Sequence, residues 1–331
     1  MNSGSDKPRL GEFELIAEIF APLAKAPLAF GLTDDAAVAT PSLGQDLVVT
    51  TDAVIEGVHF FTDDPPHLIA KKALRVNLSD LAAKGCGPSG YLLVLSLPAR
   101  IDSSWLRSFA KGLEEDQQEF GMSLLGGDTT ATPGPLTIVI TAFGHVATGA
   151  MLRRSGAEAG HSVYVTGTVG DAGGGLVRLK RDGAALLPEE DLYLVRRYRL
   201  PEPRTRLGPA LLGLASASVD VSDGLLADLG HIAKTSGVRI EVEAARLPLS
   251  PALQRLWPNV AERAVRATTA GDDYEIAFTA PPGRRPDIMQ IAAASSTTVS
   301  EIGRVVAGTG VALLDSEGHE MQIGRPGYVH F

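Results

Sequence analysis

The sequence predicts a protein of the mixed α/β (α+β) class with two domains. Stretches with strand alternation and stretches with helical spacing follow one another in both halves of the chain. The chain has 331 residues, more than one hydrophobic core usually supports, and its 44% hydrophobic and 21% charged residues are typical of soluble globular proteins. We place the domain boundary in the polar, glycine-rich stretch 148–161. The predicted parts are a disordered tail at 1–10, an N-terminal domain at 11–149 and a C-terminal domain at 150–331.

Three helices and four strands are predicted in the N-terminal domain. Helical spacing is present in GEFELIAEIFAPLA, in SSWLRSFAKGLEEDQQEFG and in PHLIAKKALRVNLSDLAAKG, where Gly85 fits a helix end. Strand patterns are present in SGYLLVLSLP, in PLTIVITAFGHV and in MSLLGGDTT, which we expect to open into a glycine turn. DLVVTTDAVIEGVHFF begins as a strand and is expected to end in a loop that carries Asp52 and His59.

The C-terminal domain is predicted to begin with the strand SVYVTG, followed by a glycine-rich turn and a helix. A helix from about Gly208 and the helix LLADLGHIAKTSG flank the loop VDVSDG. The remainder alternates short strands such as RIEVEA and YEIAFTA with helices, and no clean internal repeat is present.

Charge and cysteine content exclude several classes of protein. A net charge of −9 without a Lys/Arg stripe argues against a nucleic-acid partner. No apolar run is long enough for a membrane span and the first residues lack a signal-peptide core, so we expect a cytoplasmic protein with no membrane partner. The single cysteine, Cys86, fits a reducing compartment, and without a basic neighbour it is interpreted as inert.

Aspartates recur where an apolar strand ends or a helix begins. They are Asp34, Asp35, Asp52, Asp80, Asp128, Asp220, Asp223, Asp272 and Asp273. Any one of them alone is more often a helix N-cap or a turn residue. The series favours a bound cation, because acids beside apolar strands destabilise a fold unless positive charge compensates them. Hard oxygen donors, including Thr50, Thr51 and Ser222 beside the acids, suit Mg²⁺ rather than zinc.

Carboxylates with Mg²⁺ indicate phosphate chemistry, yet the common nucleotide-binding motifs are missing from the sequence. The turn VYVTGTVGDAGGGLV either offers backbone N–H groups to an anion or is a turn packed tightly on a neighbour. Arg154 fits either a nucleotide phosphate contact or a solvated linker arginine. His59 is either a structural histidine or, since it follows Asp52 closely, a contact to a substrate phosphate.

Taken together, these stretches resemble the thiamine-monophosphate kinases, of the superfamily that includes aminoimidazole-ribotide synthetase and selenophosphate synthetase. The resemblance runs from GEFELIAEIF to the terminal GYVHF through TTDAVIEGVHF, NLSDLAAKG, LLGGDTT, RSGAEAG, VTGTVGDAGGGL, VDVSDGLLADLGHI and GDDYE, in the family's order. It implies a two-domain synthetase-like fold. The N-terminal α/β domain would form a barrel across a homodimer interface, and the C-terminal α/β domain would lie over the active-site cleft.

The resemblance also implies ATP-dependent phosphorylation of thiamine monophosphate to thiamine diphosphate by direct in-line transfer, with several Mg²⁺ ions and with K⁺ as a further candidate ion. The implied metal ligands are Asp34, Asp35, Thr50, Thr51, Asp52, Asp80, Asp128, Asp220 and Asp223, of which Asp80, Asp128, Asp220 and Asp223 are assigned to catalysis. The implied ATP contacts are Gly127, Asp128, Arg154 and Ser222. The implied substrate contacts are His59, Asp272 and Tyr328.

The chain departs from the family's pattern at several positions. Lys84 stands where methionine is common, Asp272 where glutamate is common, and Thr33 where glycine is usual. Two alternatives stay open: another synthetase of the superfamily, such as an aminoimidazole-ribotide-like ATP-dependent ligase, and a non-catalytic nucleotide- or metal-binding protein. A selenophosphate synthetase would need a reactive Cys or selenocysteine near the N-terminus, where Cys86 does not lie.

Overall fold

A computed structural model describes residues 11–33, 36–37, 40–183 and 187–328. The chain divides into two compact units, the first made of Met1–Leu78 and Pro88–His145 and the second of Ser79–Gly87 and Val146–Phe331. Asp34, Asp35 and the tail at 1–10 lie outside the described residues. Within the described ranges, no helix combines the length and the apolar character that crossing a bilayer requires.

The first unit opens with a helical segment that is less regular than predicted. Helix α1 (Glu12–Leu15) continues as a π-helical turn, Ile16–Phe20, and a 3₁₀ turn, Ala21–Leu23. The prediction of one regular helix over 11–24 is therefore wrong in its geometry. Pro22 has no backbone N–H to donate, so it cannot extend a regular helical hydrogen-bond ladder.

A four-stranded sheet and two long helices form the rest of this unit, as predicted. The sheet order is β1-β4-β2-β3. The elements are β1 (Gln45–Ile55), α2 (Pro66–Ala83), β2 (Gly87–Leu97), α3 (Ser103–Phe120), β3 (Ser123–Ala131) and β4 (Thr137–Ala147). Arg75 of α2 donates to both carboxylate oxygens of the buried Asp116 of α3, at 2.7 and 2.8 Å, which fixes the two helices together.

Two predicted loops of this unit are strands instead. β1 is regular through Ile55, so Asp52 lies within a strand. β3 pairs in parallel with β2 as far as Ala131, and the predicted glycine turn is absent from it. A Cβ atom on Gly127 would lie 1.8 Å from the Leu93 carbonyl oxygen, so glycine is required there for the two strands to approach.

The second unit is built on a mixed six-stranded sheet of order β10-β7-β9-β5-β8-β6. Its strands are β5 (Ser162–Thr166), β6 (Ala217–Asp220), β7 (Arg239–Glu243), β8 (Ile276–Ala280), β9 (Val299–Val306) and β10 (Gly310–Leu314). Its helices are α4 (Asp171–Asp182), α5 (Glu189–Arg199), α6 (Leu225–Ser236), α7 (Pro251–Leu256), α8 (Val260–Thr269) and α9 (Arg285–Ala294). The predicted helix from Gly208 is only a 3₁₀ turn, Gly208–Leu211, because Leu212 leaves the helical conformation with a ψ of 129°.

The glycine-rich turn before α4 holds a carboxylate of the chain itself. The backbone N–H of Gly170 donates to Asp273 Oδ2 at 2.6 Å, and that of Ala172 donates to Asp273 Oδ1 at 3.3 Å. A Cβ on Gly174 would lie 2.8 Å from Leu253 Cδ1, and one on Gly175 would lie 2.1 Å from the Leu194 carbonyl oxygen. Both interpretations of this turn hold in part, because its N–H groups bind an anionic side chain of the chain itself and its glycines are tightly packed.

Gly175→Ala is expected to lower the free energy of unfolding by about 2–4 kcal/mol, because the new methyl group overlaps the α5 backbone rather than a movable side chain. Gly230→Ala is the matched control. Gly230 is also in a helix, α6, and a Cβ there would meet nothing within 4 Å, so alanine should stabilise by about 0.5–1 kcal/mol. Urea unfolding of both variants measures the difference, and equal midpoints would contradict the packing role.

Candidate active site

The second unit carries a buried carboxylate at the end of an edge strand. Asp220 is the last residue of β6, and its side chain is buried. Burial raises the pKa of Asp220 well above its ordinary value, and the nearby Asp80 and Asp228 carboxylates raise it further. The Lys84 charge acts in the opposite direction. An ionised Asp220 therefore calls for additional positive charge beside it.

Asp228, which the sequence reasoning did not single out, orders the adjacent loop. Its Oδ2 atom accepts the backbone N–H groups of Ser222, Asp223 and Gly224 at 3.0, 3.1 and 3.2 Å. Burial and the Asp223 charge raise the pKa of Asp228 to about 7, against the lowering effect of these donors. The sequence signal was an acid in the first turn of α6, which alone indicates only a favourable helix dipole.

Two further segments pack on the same loop. The backbone N–H of Asp272 donates to the Ser222 carbonyl at 2.8 Å, and the N–H of Tyr328 donates to the Asp223 carbonyl at 2.9 Å. Asp272 has a φ of 69°, a left-handed conformation that aspartate tolerates better than most residues, and the Tyr274 hydroxyl donates to its Oδ1 atom at 3.1 Å. The structure thus brings Ser222, Asp223, Asp272 and Tyr328 together.

Arg154 lies in the same region. Its charge lowers the pKa of Lys84, for which burial is the larger lowering cause and the Asp220 and Asp80 carboxylates act in the opposite sense. It also lowers the pKa of His231, again second to burial. Arg154 therefore interacts electrostatically with Lys84, the cation that lies near the Asp80 and Asp220 carboxylates.

Cys86 is buried, and burial raises its pKa to about 11. Lys84 lowers that pKa in part, so the statement that Cys86 has no basic neighbour is wrong. The interpretation of Cys86 as an inert thiol is nevertheless supported, because the thiolate is the reactive form.

In the first unit, β1 separates its three predicted ligands onto two faces. Thr50 and Asp52 project to one side of the strand, and Thr51 projects to the other. The Thr51 hydroxyl donates to the Ile140 carbonyl at 3.1 Å and lies 3.1 Å from the Thr141 hydroxyl, which donates to it. The strand therefore does not bring the Thr51 side chain together with those of Thr50 and Asp52.

His59 and Asp128 also belong to the first unit. The backbone N–H of Ile55 donates to His59 Nδ1 at 3.0 Å, and Lys72 Nζ donates to the His59 carbonyl at 2.9 Å. In the neutral imidazole the proton is consequently on Nε2, which suits donation to an anion. Asp128 follows Gly127 in β3 and is exposed.

Within the described ranges, no three His, Cys, Asp or Glu side chains form a preassembled metal site. Mg²⁺ does not require one, because it is commonly held by one or two carboxylates together with water and substrate phosphates. The buried Asp220 carboxylate and the nearby Asp80 carboxylate offer hard oxygen donors. The positive charge beside them does not balance their negative charge. These residues fit a divalent cation.

We expect Asp228→Ala to lower kcat at least about tenfold and to raise the KM for Mg²⁺, because three N–H groups lose their acceptor and the Ser222–Asp223 loop loses its conformation. Asp228→Asn, which keeps one acceptor oxygen, should recover most of the loss. A purely structural role would lower the melting temperature of Asp228→Ala without changing the KM for Mg²⁺ of the folded fraction. Steady-state kinetics with circular dichroism separates these results.

The chain matches the family described as AIR synthase related protein, with the N-terminal domain at residues 33–146 and the C-terminal domain at residues 158–316. The thiamine-monophosphate kinase of Caulobacter vibrioides is 43% identical over 324 residues, which cover 96% of this chain and 90% of that relative.

Solved structures of the same kind of protein are also similar to this chain. The thiamine-monophosphate kinase of Stenotrophomonas maltophilia K279a is 40% identical, with a TM-score of 0.81, and the match covers 88% of this chain and 91% of that one. AaThiL, solved as a complex with AMPPCP and TMP, is 32% identical, with a TM-score of 0.78 over 99% of this chain and 100% of that one. The mixed α/β class and the two-domain synthetase-like fold predicted from the sequence are confirmed.

Proposed function

Because the chain belongs to the family of thiamine-monophosphate kinases, we propose that it transfers the γ-phosphoryl group of ATP to the phosphate of thiamine monophosphate. The products are ADP and thiamine diphosphate. The complex of a relative with AMPPCP, an analogue of ATP, and TMP supports this pair of substrates. The observation that carries the proposal is the buried Asp220 carboxylate, which lies near the Asp80 and Asp228 carboxylates. The ordered Ser222–Asp223 loop begins directly after it.

Mg²⁺ is the metal that these oxygen donors suit, and when bound it supplies the positive charge that offsets repulsion between the two phosphate groups. We assign Asp80, Asp220 and Asp223 of the second unit to Mg²⁺. From the first unit we assign Thr50, Thr51, Asp52 and Asp128, with Thr51 acting through its backbone because its hydroxyl is engaged by β4. Asp34 and Asp35 remain predicted ligands, and K⁺ remains a predicted further ion.

The remaining site residues bind and orient the two substrates. Arg154 would contact ATP through its guanidinium, and Gly127, Asp128 and Ser222 would contact it from the strand and the loop that carry them. His59, through its Nε2 proton, would contact the phosphate of thiamine monophosphate. Asp272 and Tyr328, both hydrogen-bonded through their backbone to the Ser222–Asp223 loop, would contact the same substrate.

The proposed reaction needs no strong general base. The attacking phosphate oxygen is already ionised at neutral pH, so the barrier lies in bringing two anions into line. At a separation of about 4 Å and an effective dielectric constant of about 20, each pair of unit charges repels by about 4 kcal/mol. Two cations of the second unit, Arg154 and Lys84, would offset part of this repulsion.

We propose that the protein is a homodimer in the cytoplasm, with residues 11–149 binding ATP and Mg²⁺ and forming the dimer interface, and residues 150–331 covering the cleft. The support lies in β1, an edge strand of the first sheet with Leu47 and Val49 exposed. An exposed apolar edge strand promotes pairing with another chain. Light scattering of the purified protein tests the dimer.

The activity is tested by incubating the full-length protein with ATP, Mg²⁺ and thiamine monophosphate and measuring ADP and thiamine diphosphate by chromatography. Equal amounts of the two products are expected, with neither product formed when Mg²⁺ is chelated. ADP without thiamine diphosphate would favour another synthetase of the superfamily, and neither product would favour a non-catalytic nucleotide- or metal-binding protein. The inert Cys86 argues against a selenophosphate synthetase.

A further inference from the structure

Two hydrogen bonds hold Lys84 near the Asp80 and Asp220 carboxylates, which we call the acidic pair. Its backbone N–H donates to the Asp80 carbonyl at 3.0 Å, so that Asp80 and Lys84 lie one helical turn apart on the same side. Its Nζ atom donates to the Ser218 carbonyl at 2.9 Å. Ser218 precedes Asp220 on β6, and the ammonium group is therefore anchored to the strand whose end carries the buried carboxylate.

The charges around Lys84 are those of the site. Asp220 and Asp80 both stabilise its protonated form, whereas burial and the Arg154 charge oppose it. Reciprocally, Lys84 favours the ionised form of Asp220. A Cys86 thiolate would also interact with the Lys84 charge, but the thiol stays neutral because its pKa is raised to about 11. Asp80 and Asp220 are thus the anions with which the ammonium group interacts.

We propose that the Lys84 ammonium is a built-in cation of the site, which shares the Asp80 and Asp220 carboxylates with the divalent ion and weakens the binding of that ion. The inference rests on the proposed function only in that a divalent ion binds this pair. Before the metal binds, the ammonium limits the repulsion between the two carboxylates. After the metal binds, the ammonium and the metal repel each other, so the protein releases the metal more readily.

A structural lysine at the same position would behave differently. A cation directly after the last residue of a helix stabilises that helix through its dipole and through hydrogen bonds to carbonyl groups. Its removal would lower the stability of the protein and leave the affinity for a divalent ion unchanged. Metal affinity, measured apart from activity, therefore distinguishes the two roles.

The test compares Lys84→Met, which removes the charge and keeps the length of the side chain, with Lys84→Arg, which keeps the charge. Metal-free full-length protein is titrated with Mn²⁺, and free Mn²⁺ is followed by electron paramagnetic resonance. We expect Lys84→Met to bind Mn²⁺ about fivefold more tightly than wild type. This factor corresponds to the repulsion between a divalent ion and a single positive charge roughly 8 Å apart in a water-like dielectric. Lys84→Arg should stay within about twofold of wild type.

An affinity of Lys84→Met equal to or weaker than that of wild type would overturn the proposal. Lys84→Gln serves as a second uncharged variant if Lys84→Met does not fold. The Mg²⁺ concentration for half-maximal rate should fall by a similar factor in the uncharged variants. Tighter Mn²⁺ binding without thiamine diphosphate formation would support the inference and contradict the proposed function. Normal kinase activity, with the same Mn²⁺ affinity in wild type and Lys84→Met, would support the proposed function and contradict the inference.

Discussion

Asp220→Asn is expected to lower kcat by about a thousandfold or more and, in the metal-free protein, to raise the melting temperature. The first effect follows because the variant loses a charged oxygen donor of the proposed metal site. The second follows because the introduced amide is neutral, whereas wild type buries Asp220 against the Asp80 and Asp228 carboxylates. Removal of that repulsion should stabilise the fold by about 1–2 kcal/mol at pH 8.

Two comparisons give this prediction its specificity. Mg²⁺ should raise the melting temperature of wild type more than that of Asp220→Asn, because only a ligand that binds the folded state stabilises it. Asp287→Asn removes the acid from an exposed ion pair between Arg284 and Asp287 at the start of α9, and it should change the free energy of unfolding by less than about 0.5 kcal/mol. Near-normal turnover of Asp220→Asn at saturating Mg²⁺ would contradict the role of this carboxylate, as would a lower melting temperature without metal.

The sequence predicted the acids of this site because it showed where positive charge was lacking along the chain. For Asp220 that reasoning agrees with the structure, where burial and two other carboxylates act against ionisation. For Asp273 it does not, because two backbone N–H groups of the α4 turn satisfy its carboxylate. Whether an acid meets a cation, an N–H group or solvent depends on tertiary contacts, which local sequence does not reveal.

Glycines presented a similar ambiguity. The run from Gly173 to Gly175 was consistent both with an anion-binding turn and with close packing, since both need a residue without a side chain. The Leu194 backbone, which belongs to a different helix, shows the close packing of Gly175, and the Asp273 carboxylate occupies two N–H groups of the turn. By contrast, α2, α3 and β4 were predictable because regular apolar spacing over many residues is a strong local signal.

The roles of Asp228 and Lys84 could not be predicted for a related reason. Each is a charged residue at a helix end, where the sequence pattern indicates only a favourable interaction with the helix dipole. Their contacts to the Ser222–Asp223 loop and to β6 depend on how the helices pack. The family resemblance marked Lys84 as unusual without indicating what the ammonium group contacts.

Glu275→Gln is expected to lower the free energy of unfolding by about 3–5 kcal/mol, because it leaves the buried Arg197 and the partly buried Arg204 without their shared anion. Glu275 is fully buried and accepts from Arg204 Nε at 2.6 Å, Arg197 Nη2 at 2.7 Å and Thr166 Oγ1 at 2.5 Å. Burial acts to raise the pKa of Glu275, but the two arginines and the threonine outweigh it and lower the pKa below the ordinary value of 4.5.

Glu202→Gln is the matched control for this change. Glu202 lies 3.5 Å from Arg197 and 3.6 Å from Arg204, but it is half-exposed, so its loss should lower the free energy of unfolding by less than about 1 kcal/mol. Since the pKa of Glu275 is lowered by folding, its contribution is present above pH 4.5 and is lost as the pH falls through the folded-state pKa. The stability difference between wild type and Glu275→Gln, measured by urea unfolding, should therefore shrink below pH 4.5. A difference that stays constant into strong acid would show that the ionised carboxylate is not what holds these arginines.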